Sequence, residues 1–170
     1  MANVQELLNG RPGTISIDWT GVEKEVRFPV HQDLKDFYSR LTETRNYGKV
    51  DFAEAKFIEK TGDKRNDTWF SFNECEGSVE YQLILIKSPE NAAQEIRYAF
   101  EEWTGGNDFG HRAMIGEFYF NMGSVLILFN NDTGKIEWID CEYGYFEVYD
   151  ENPNGVLANS MKEFFEKFCS

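Results

Sequence analysis

Val125-Leu126-Ile127-Leu128-Phe129 is an unbroken apolar run, followed by Asn131-Asp132-Thr133-Gly134 and then by Lys135-Ile136-Glu137-Trp138-Ile139-Asp140. An apolar run of strand length bounded by turn residues reads as a strand buried on both faces. Asn and Asp side chains hydrogen-bond nearby backbone, and Gly adopts positive φ freely, so the four residues after the run predict a tight turn into a second strand. Upstream, Ile115-Gly116 opens a further strand and Gly123 leads into the apolar run. Downstream, the segment closes with Val156-Leu157-Ala158-Asn159-Ser160-Met161-Lys162-Glu163-Phe164-Phe165. Ser160 and Glu163 form a capping box there, and Met161, Phe164, Phe165 and Phe168 make the buried stripe of a short last helix. From Met114 to Phe168 the pattern holds almost no catalytic residue types. It builds a scaffold, and it points to a binding module.

The rest of the chain alternates strand and helix signals without strict β-α-β order. Thr14-Ile15-Ser16-Ile17-Asp18-Trp19 alternates, and Thr20-Gly21 turns it towards Lys24-Glu25-Val26-Arg27-Phe28, which predicts an N-terminal hairpin over 14–28. Pro29 stops that strand. Leu34, Phe37, Tyr38 and Leu41 recur at helical spacing, with Gly48 placed to end the helix. Residues 50–60 admit two readings: Asp51 and Glu54 as a capping box, or a strand from about Ala55, which is preferred. Thr68 to Phe72 predicts a strand, Glu76-Gly77 a turn, and Val79 to Ile86 a long strand. Ser88-Pro89 starts a helix in which Ala93, Ile96, Phe100 and Trp103 face one way and Gly105-Gly106 ends it. The expected class is therefore α+β. A single domain over 1–170 should hold a largely antiparallel mixed sheet with helices packed against it.

Composition sets the limits on function. The chain has 170 residues, 41% of them hydrophobic and 16% aromatic, enough for one domain with a Phe-, Tyr- and Trp-rich core. A net charge of -13 argues against nucleic acid, whose phosphates need clustered Lys and Arg, and against anionic membrane surfaces. A basic protein partner would be steered towards such a field. Cys75, Cys141 and Cys169 are three, widely spaced and without a C-x-x-C, which fits a reducing compartment. Met1 to Leu8 carries no signal-peptide pattern, and no window is long and apolar enough to span a bilayer. A cytoplasmic protein is the expectation.

Several of these segments resemble the SUKH superfamily, which includes fungal regulators of cell-wall synthesis and many bacterial immunity proteins. The resemblance lies in Ile115-Gly116, the strand after Gly123, Asp132-Thr133-Gly134 with Ile136, and Ala158-Asn159-Ser160-Met161-Lys162-Glu163-Phe164. Phe28-Pro29 followed by Leu34-Lys35-Asp36-Phe37-Tyr38 is similar to the family's Leu-Pro and aromatic helix. Together these cover roughly half the chain. The predicted hairpin at 14–28, where the family has a longer helix, and the loop Gly105 to Gly110 depart from the pattern. The resemblance implies a non-enzymatic domain that binds and neutralises a cognate toxin.

The best site candidate is the acidic stretch from Asp132 to Glu151, with seven acids against the one base Lys135. Glu137, Asp140, Glu142, Glu147, Asp150 and Glu151 interleave there with Trp138, Tyr143, Tyr145, Phe146 and Tyr149. Carboxylates among aromatics suit a surface that fills a basic cleft. The competing reading is a solvated strand edge whose charges discourage sheet-to-sheet pairing. The loop Gly105 to Arg112 is a second candidate, with His111 and Arg112 in reach of a ligand, against a plain helix C-cap and connection. Asp108-Phe109-Gly110 lacks the other kinase motifs, and Asp132-Thr133-Gly134 sits in hairpin-turn composition rather than in a paired-aspartate site. A Cys141–His111 dyad is the one conceivable nucleophile and base, opposed by the apolar strand around Cys141. No metal-ligand spacing is present. The expectation is no catalytic residue, no metal and no cofactor. The partner expected is a protein toxin or another basic protein; a regulatory scaffold domain is the alternative, and a small hydrolase ranks third.

Overall fold

The computed structural model describes residues 15–40, 46–51, 78–101, 109–120, 123–140 and 154–166. Four helices and six strands are formed by them. The strands, β1 (Asn46–Asp51), β2 (Ser78–Leu83), β3 (Arg112–Phe120), β4 (Gly123–Asn130), β5 (Ile136–Asp140) and β6 (Asn154–Ala158), form one sheet in chain order. Every neighbouring pair is antiparallel. The class is α+β, as the pattern of elements predicts.

β4 lies at the middle of the paired strands and is buried on both faces. All five residues from Val125 to Phe129 are shielded from solvent. Alternation divides them: Val125, Ile127 and Phe129 join the core under the helices, while Leu126 and Leu128 join Phe109, Met114 and Ile139 on the other face. An unbroken apolar run is the sequence expression of that double burial.

Helix α1 spans Trp19–Val26, where the sequence predicts one arm of a hairpin. The correction has a local cause. Asp18 caps the helix by accepting from the Gly21 amide at 3.1 Å, and Val22 and Val26, four residues apart, both enter the core. Only Ile15 and Ile17 carry the period-2 signal, too few to outweigh the cap and that spacing. Thr20-Gly21 is therefore part of the first turn of a helix. Arg27 ends it in the left-handed region at φ 70°, its amide donating to the Glu23 carbonyl.

α2 spans Gln32–Tyr38 and stops there, so Gly48 does not end it; that glycine lies in β1 opposite Tyr81. After β2, Ile84 extends the pairing by donating to the Ile115 carbonyl. A 3-10 turn, Pro89–Asn91, precedes α3, Ala92–Glu101, which buries Ala92, Ile96, Ala99 and Phe100. The Ser88 hydroxyl accepts from the Asn91 side chain rather than from a backbone amide, so it braces the turn without capping it in the usual way.

The sequence reading names no strand over Asn154–Ala158, yet β6 pairs with β5 there. β5 is consequently an interior strand and not an edge. α4, Met161–Glu166, follows. The Ser160 half of the expected box is present, the Glu163 amide donating to the Ser160 hydroxyl at 3.1 Å, while the Glu163 carboxylate reaches one residue further back, to the Asn159 amide at 3.0 Å. Met161, Phe164 and Phe165 pack with α1, α2 and α3 into one apolar cluster against the sheet. The expected strands at 55–60 and 68–72, the turn at Glu76-Gly77, and Trp103, Gly105, Gly106 and Phe168 lie outside the described residues.

Candidate functional site

Polar side chains concentrate at one corner of the sheet, where β3 begins, β4 ends and the Asn131–Gly134 turn leads into β5. The turn is self-supporting. The Asn130 carboxamide oxygen accepts from the amides of Asp132 at 3.1 Å and Thr133 at 3.2 Å, and the Gly134 amide donates to the Asn130 carbonyl at 2.8 Å. Gly134 sits at φ 72°, with a Cβ position 3.0 Å from His31 Nε2, so a side chain meets both strain and crowding there.

Asn131 ties this turn to the rest of the molecule. Its side-chain nitrogen donates to the Pro29 carbonyl at 2.9 Å, and its side-chain oxygen accepts from the His31 amide at 2.8 Å. Its own amide donates to the His111 carbonyl at 2.8 Å. One buried asparagine thus binds the α1–α2 linker, the turn and the start of β3. His31 continues the linkage, since its Nδ1 accepts from the Asp33 amide at 3.1 Å and caps α2.

Below the turn lies a buried ion pair. Arg112 Nε donates to Glu137 Oε2, Asn130 Nδ2 donates to Glu137 Oε1 at 2.8 Å, and an Arg112 terminal nitrogen donates to the Phe109 carbonyl at 2.7 Å. The Glu137 side chain is only 7% exposed. A carboxylate so placed needs the donors that Arg112 Nε and Asn130 Nδ2 supply.

Above the turn, on the solvent side, His111 Nδ1 meets Asp132 Oδ1 at 2.9 Å. The imidazole stacks on Phe28 with ring centroids 4.1 Å apart, and Phe28 in turn meets the edge of Phe100 at 4.9 Å. The side chains of His111 and Asp132 are 45% and 63% exposed. With a carboxylate on Nδ1, the neutral ring carries its proton there and presents Nε2 as an acceptor.

The sequence-based acidic surface is corrected at two positions. Glu137 is the buried partner of Arg112, and Trp138 is 1% exposed in the core beneath the helices, where its indole lies against Gly155. Neither contributes to an outer surface: Arg112 and Asn130 hold Glu137 and the helix-side core encloses Trp138, while β6 pairs with the edge of β5. Asp140 ends β5. Glu142, Tyr143, Tyr145, Phe146, Glu147, Tyr149, Asp150 and Glu151 lie outside the described residues, as does Cys141, so the Cys141–His111 dyad falls there too.

Of the second candidate, His111 and Arg112 are brought into the corner, though in different roles. Phe109 is buried and Gly110 turns at φ 61°, which serves the chain reversal into β3. Asp132 of the Asp132-Thr133-Gly134 triplet is exposed at the hairpin turn. Among the described residues no group of three or more His, Cys, Asp or Glu is placed to hold a metal ion. No helix among them is long and apolar enough to cross a membrane.

Sequence reasoning missed Phe28, His31 and Asn131 as parts of this corner. Asn130-Asn131-Asp132-Thr133-Gly134 announces a turn, but contacts spanning about a hundred positions leave no local signal. The Tyr38 hydroxyl and Arg40 Nε are also buried, with no hydrogen-bond partner among the described residues. Burial, with Glu95 nearby, pushes the Tyr38 phenol well above its ordinary range, and Phe37 stacks against Phe165 beside it. That region is aromatic core.

No protein-family model matches this sequence, and a search of curated proteins finds no match.

Proposed function

We propose that this chain is a non-enzymatic protein-binding module of the SUKH type, acting in the cytoplasm as an immunity protein that covers the active site of a cognate toxin. The observation that carries the reading is the C-terminal half of the fold. An antiparallel β3–β4–β5–β6 meander runs through the Asn131–Gly134 turn and ends in a helix capped by Ser160, in the segments whose residues resemble that superfamily. The polar groups inside it are consumed by structure: Asn130, Asn131, Arg112 and Glu137 hold the turn and the strand ends together. A net charge of -13 supports a basic partner, because complementary fields raise the rate of encounter.

The test begins with the gene beside this one. If it encodes a large protein with a C-terminal toxin module, the two proteins should co-purify as a 1:1 complex that survives moderate salt, and the toxin should lose activity. Toxin activity unchanged by a stoichiometric amount of this protein overturns the reading. Recovery of an envelope or cell-wall-control protein in its place turns the assignment to a regulatory scaffold.

A further inference from the structure

The His111–Asp132 pair is more constrained than a surface ion pair needs to be. Its ring is stacked on Phe28, its backbone carbonyl is bound by the Asn131 amide, and its Nδ1 is held by Asp132. Long surface side chains gain little from pairing when they must first be immobilised. Here the immobilisation is supplied by Phe28 and by the turn. Towards solvent remain imidazole Nε2, an acceptor when the ring is neutral, and the second carboxylate oxygen of Asp132, neither with a bond to another described residue. Phe28 covers one face of the ring, and the His111 side chain is 45% exposed.

We propose that the corner formed by Phe28, His111 and Asp132 is a recognition site for an arginine side chain on a protein partner. A guanidinium is planar and donor-only, it binds a carboxylate through parallel N–H groups, and it stacks on flat rings. Asp132 supplies the carboxylate, His111 Nε2 a further acceptor, and the imidazole the flat surface. A lysine ammonium matches the charge but neither the plane nor the fork. The acidity of the whole chain steers such a basic group inwards. The proposal deepens the protein-binding reading and rests on it by naming one group that the partner brings.

The probe is a capped hexa-arginine peptide, titrated into the full 15N-labelled chain at about 0.15 M salt, where long-range attraction between exposed charges is screened within about 8 Å. Hexa-lysine is the matched control. Arginine should move the amides around Phe28, His111 and Asp132, and bind several-fold more tightly than lysine. His111→Phe keeps the stack on Phe28 but removes the acceptor, and Asp132→Asn removes the charge. Each should weaken hexa-arginine binding by roughly tenfold, the loss expected for a hydrogen bond to a charged group. Both positions are exposed, so both variants should fold. Equal shifts with both peptides, spread over the molecule's acidic residues and untouched by the variants, overturn the proposal. The titration needs no toxin, so its failure and a failed toxin pull-down are separate results.

Discussion

Arg112 and His111 are neighbours in sequence, and each faces a carboxylate, yet the two pairs lie in opposite environments. Arg112 meets Glu137 beneath the hairpin turn, where the carboxylate is 7% exposed and also binds Asn130. His111 meets Asp132 above it, where both side chains are open to water. Arg112 opens β3 while His111 sits in the bend before it, and the two side chains reach different carboxylates. The buried pair ties β3, β4 and β5 together; the exposed pair joins two solvent-facing side chains. Charge pairs one residue apart can therefore differ in purpose, and burial is what distinguishes them.

Glu137→Ala should give the largest effect. It removes the acceptor of Arg112 Nε and of the Asn130 side-chain nitrogen in a site that water reaches poorly, while Arg112 keeps its bond to the Phe109 carbonyl, a change that costs about 3 kcal/mol. The urea midpoint should fall with little change in slope. Glu137→Gln should cost less, because its oxygen still accepts from one donor. If Glu137→Ala is neutral, the distinction between the two pairs collapses.

Asn131→Ala comes next, at about 1–2 kcal/mol, since it removes the side-chain bonds to the Pro29 carbonyl and the His31 amide. The loss should be readable locally. Amide exchange should quicken in Val30–Tyr38 before it quickens in β4, because the linker and α2 lose their tether while the centre of the sheet does not.

How much of this was legible in the sequence follows from the range of each interaction. Val125 to Phe129 announces a doubly buried strand because every position is apolar, and Asn131 to Gly134 announces a turn because its residue types have local backbone chemistry. The Ser160–Glu163 cap is equally local. α1 is harder to read, because the alternation of Ile15 and Ile17 suggests a strand while the helix rests on one cap, Asp18, and one spaced pair, Val22 and Val26. Glu137 and Trp138 are illegible for a different reason. Glu-Trp-Ile-Asp in a strand looks like an open edge until β6 is recognised, and Asn154-Gly155 at its start reads as a turn. Gly155 is needed where it is: a Cβ there would lie 2.5 Å from Trp138 Nε1. That packing, like the reach of Asn131 to Pro29, exists only once the chain has folded.

Glu23 stands between the two extremes. Its carboxylate accepts from Lys35 at 2.7 Å and from the Val30 amide at 3.0 Å, joining α1 to α2 at the surface. The Lys35 ammonium, followed by the Val30 amide, holds its pKa below the ordinary 4.5. A carboxyl lowered by folding stabilises above its unfolded value and loses that contribution as pH falls through the folded one. Wild type should exceed Glu23→Gln by under ~1 kcal/mol at pH 7, as for other solvent-screened pairs. Paired urea titrations should show the gap constant down to about pH 5 and shrinking below 4.5.

The smallest effect on stability is expected at the exposed pair, and it is the most informative one. Asp132→Asn and His111→Phe should each shift the folding free energy by less than about 0.5 kcal/mol, because neither leaves a buried group unsatisfied. The Asn131 amide still donates to the residue 111 carbonyl, and the Asn130 carboxamide still braces the turn, whichever side chains project above it. A phenylalanine at 111 also preserves the stack on Phe28. Unfolding curves superimposable on wild type would show that the rigid imidazole and its carboxylate are dispensable to the fold. A loss near that of Glu137→Ala would instead make them part of the same lock, and the corner would then have a structural reason for its rigidity and no need of an arginine to explain it.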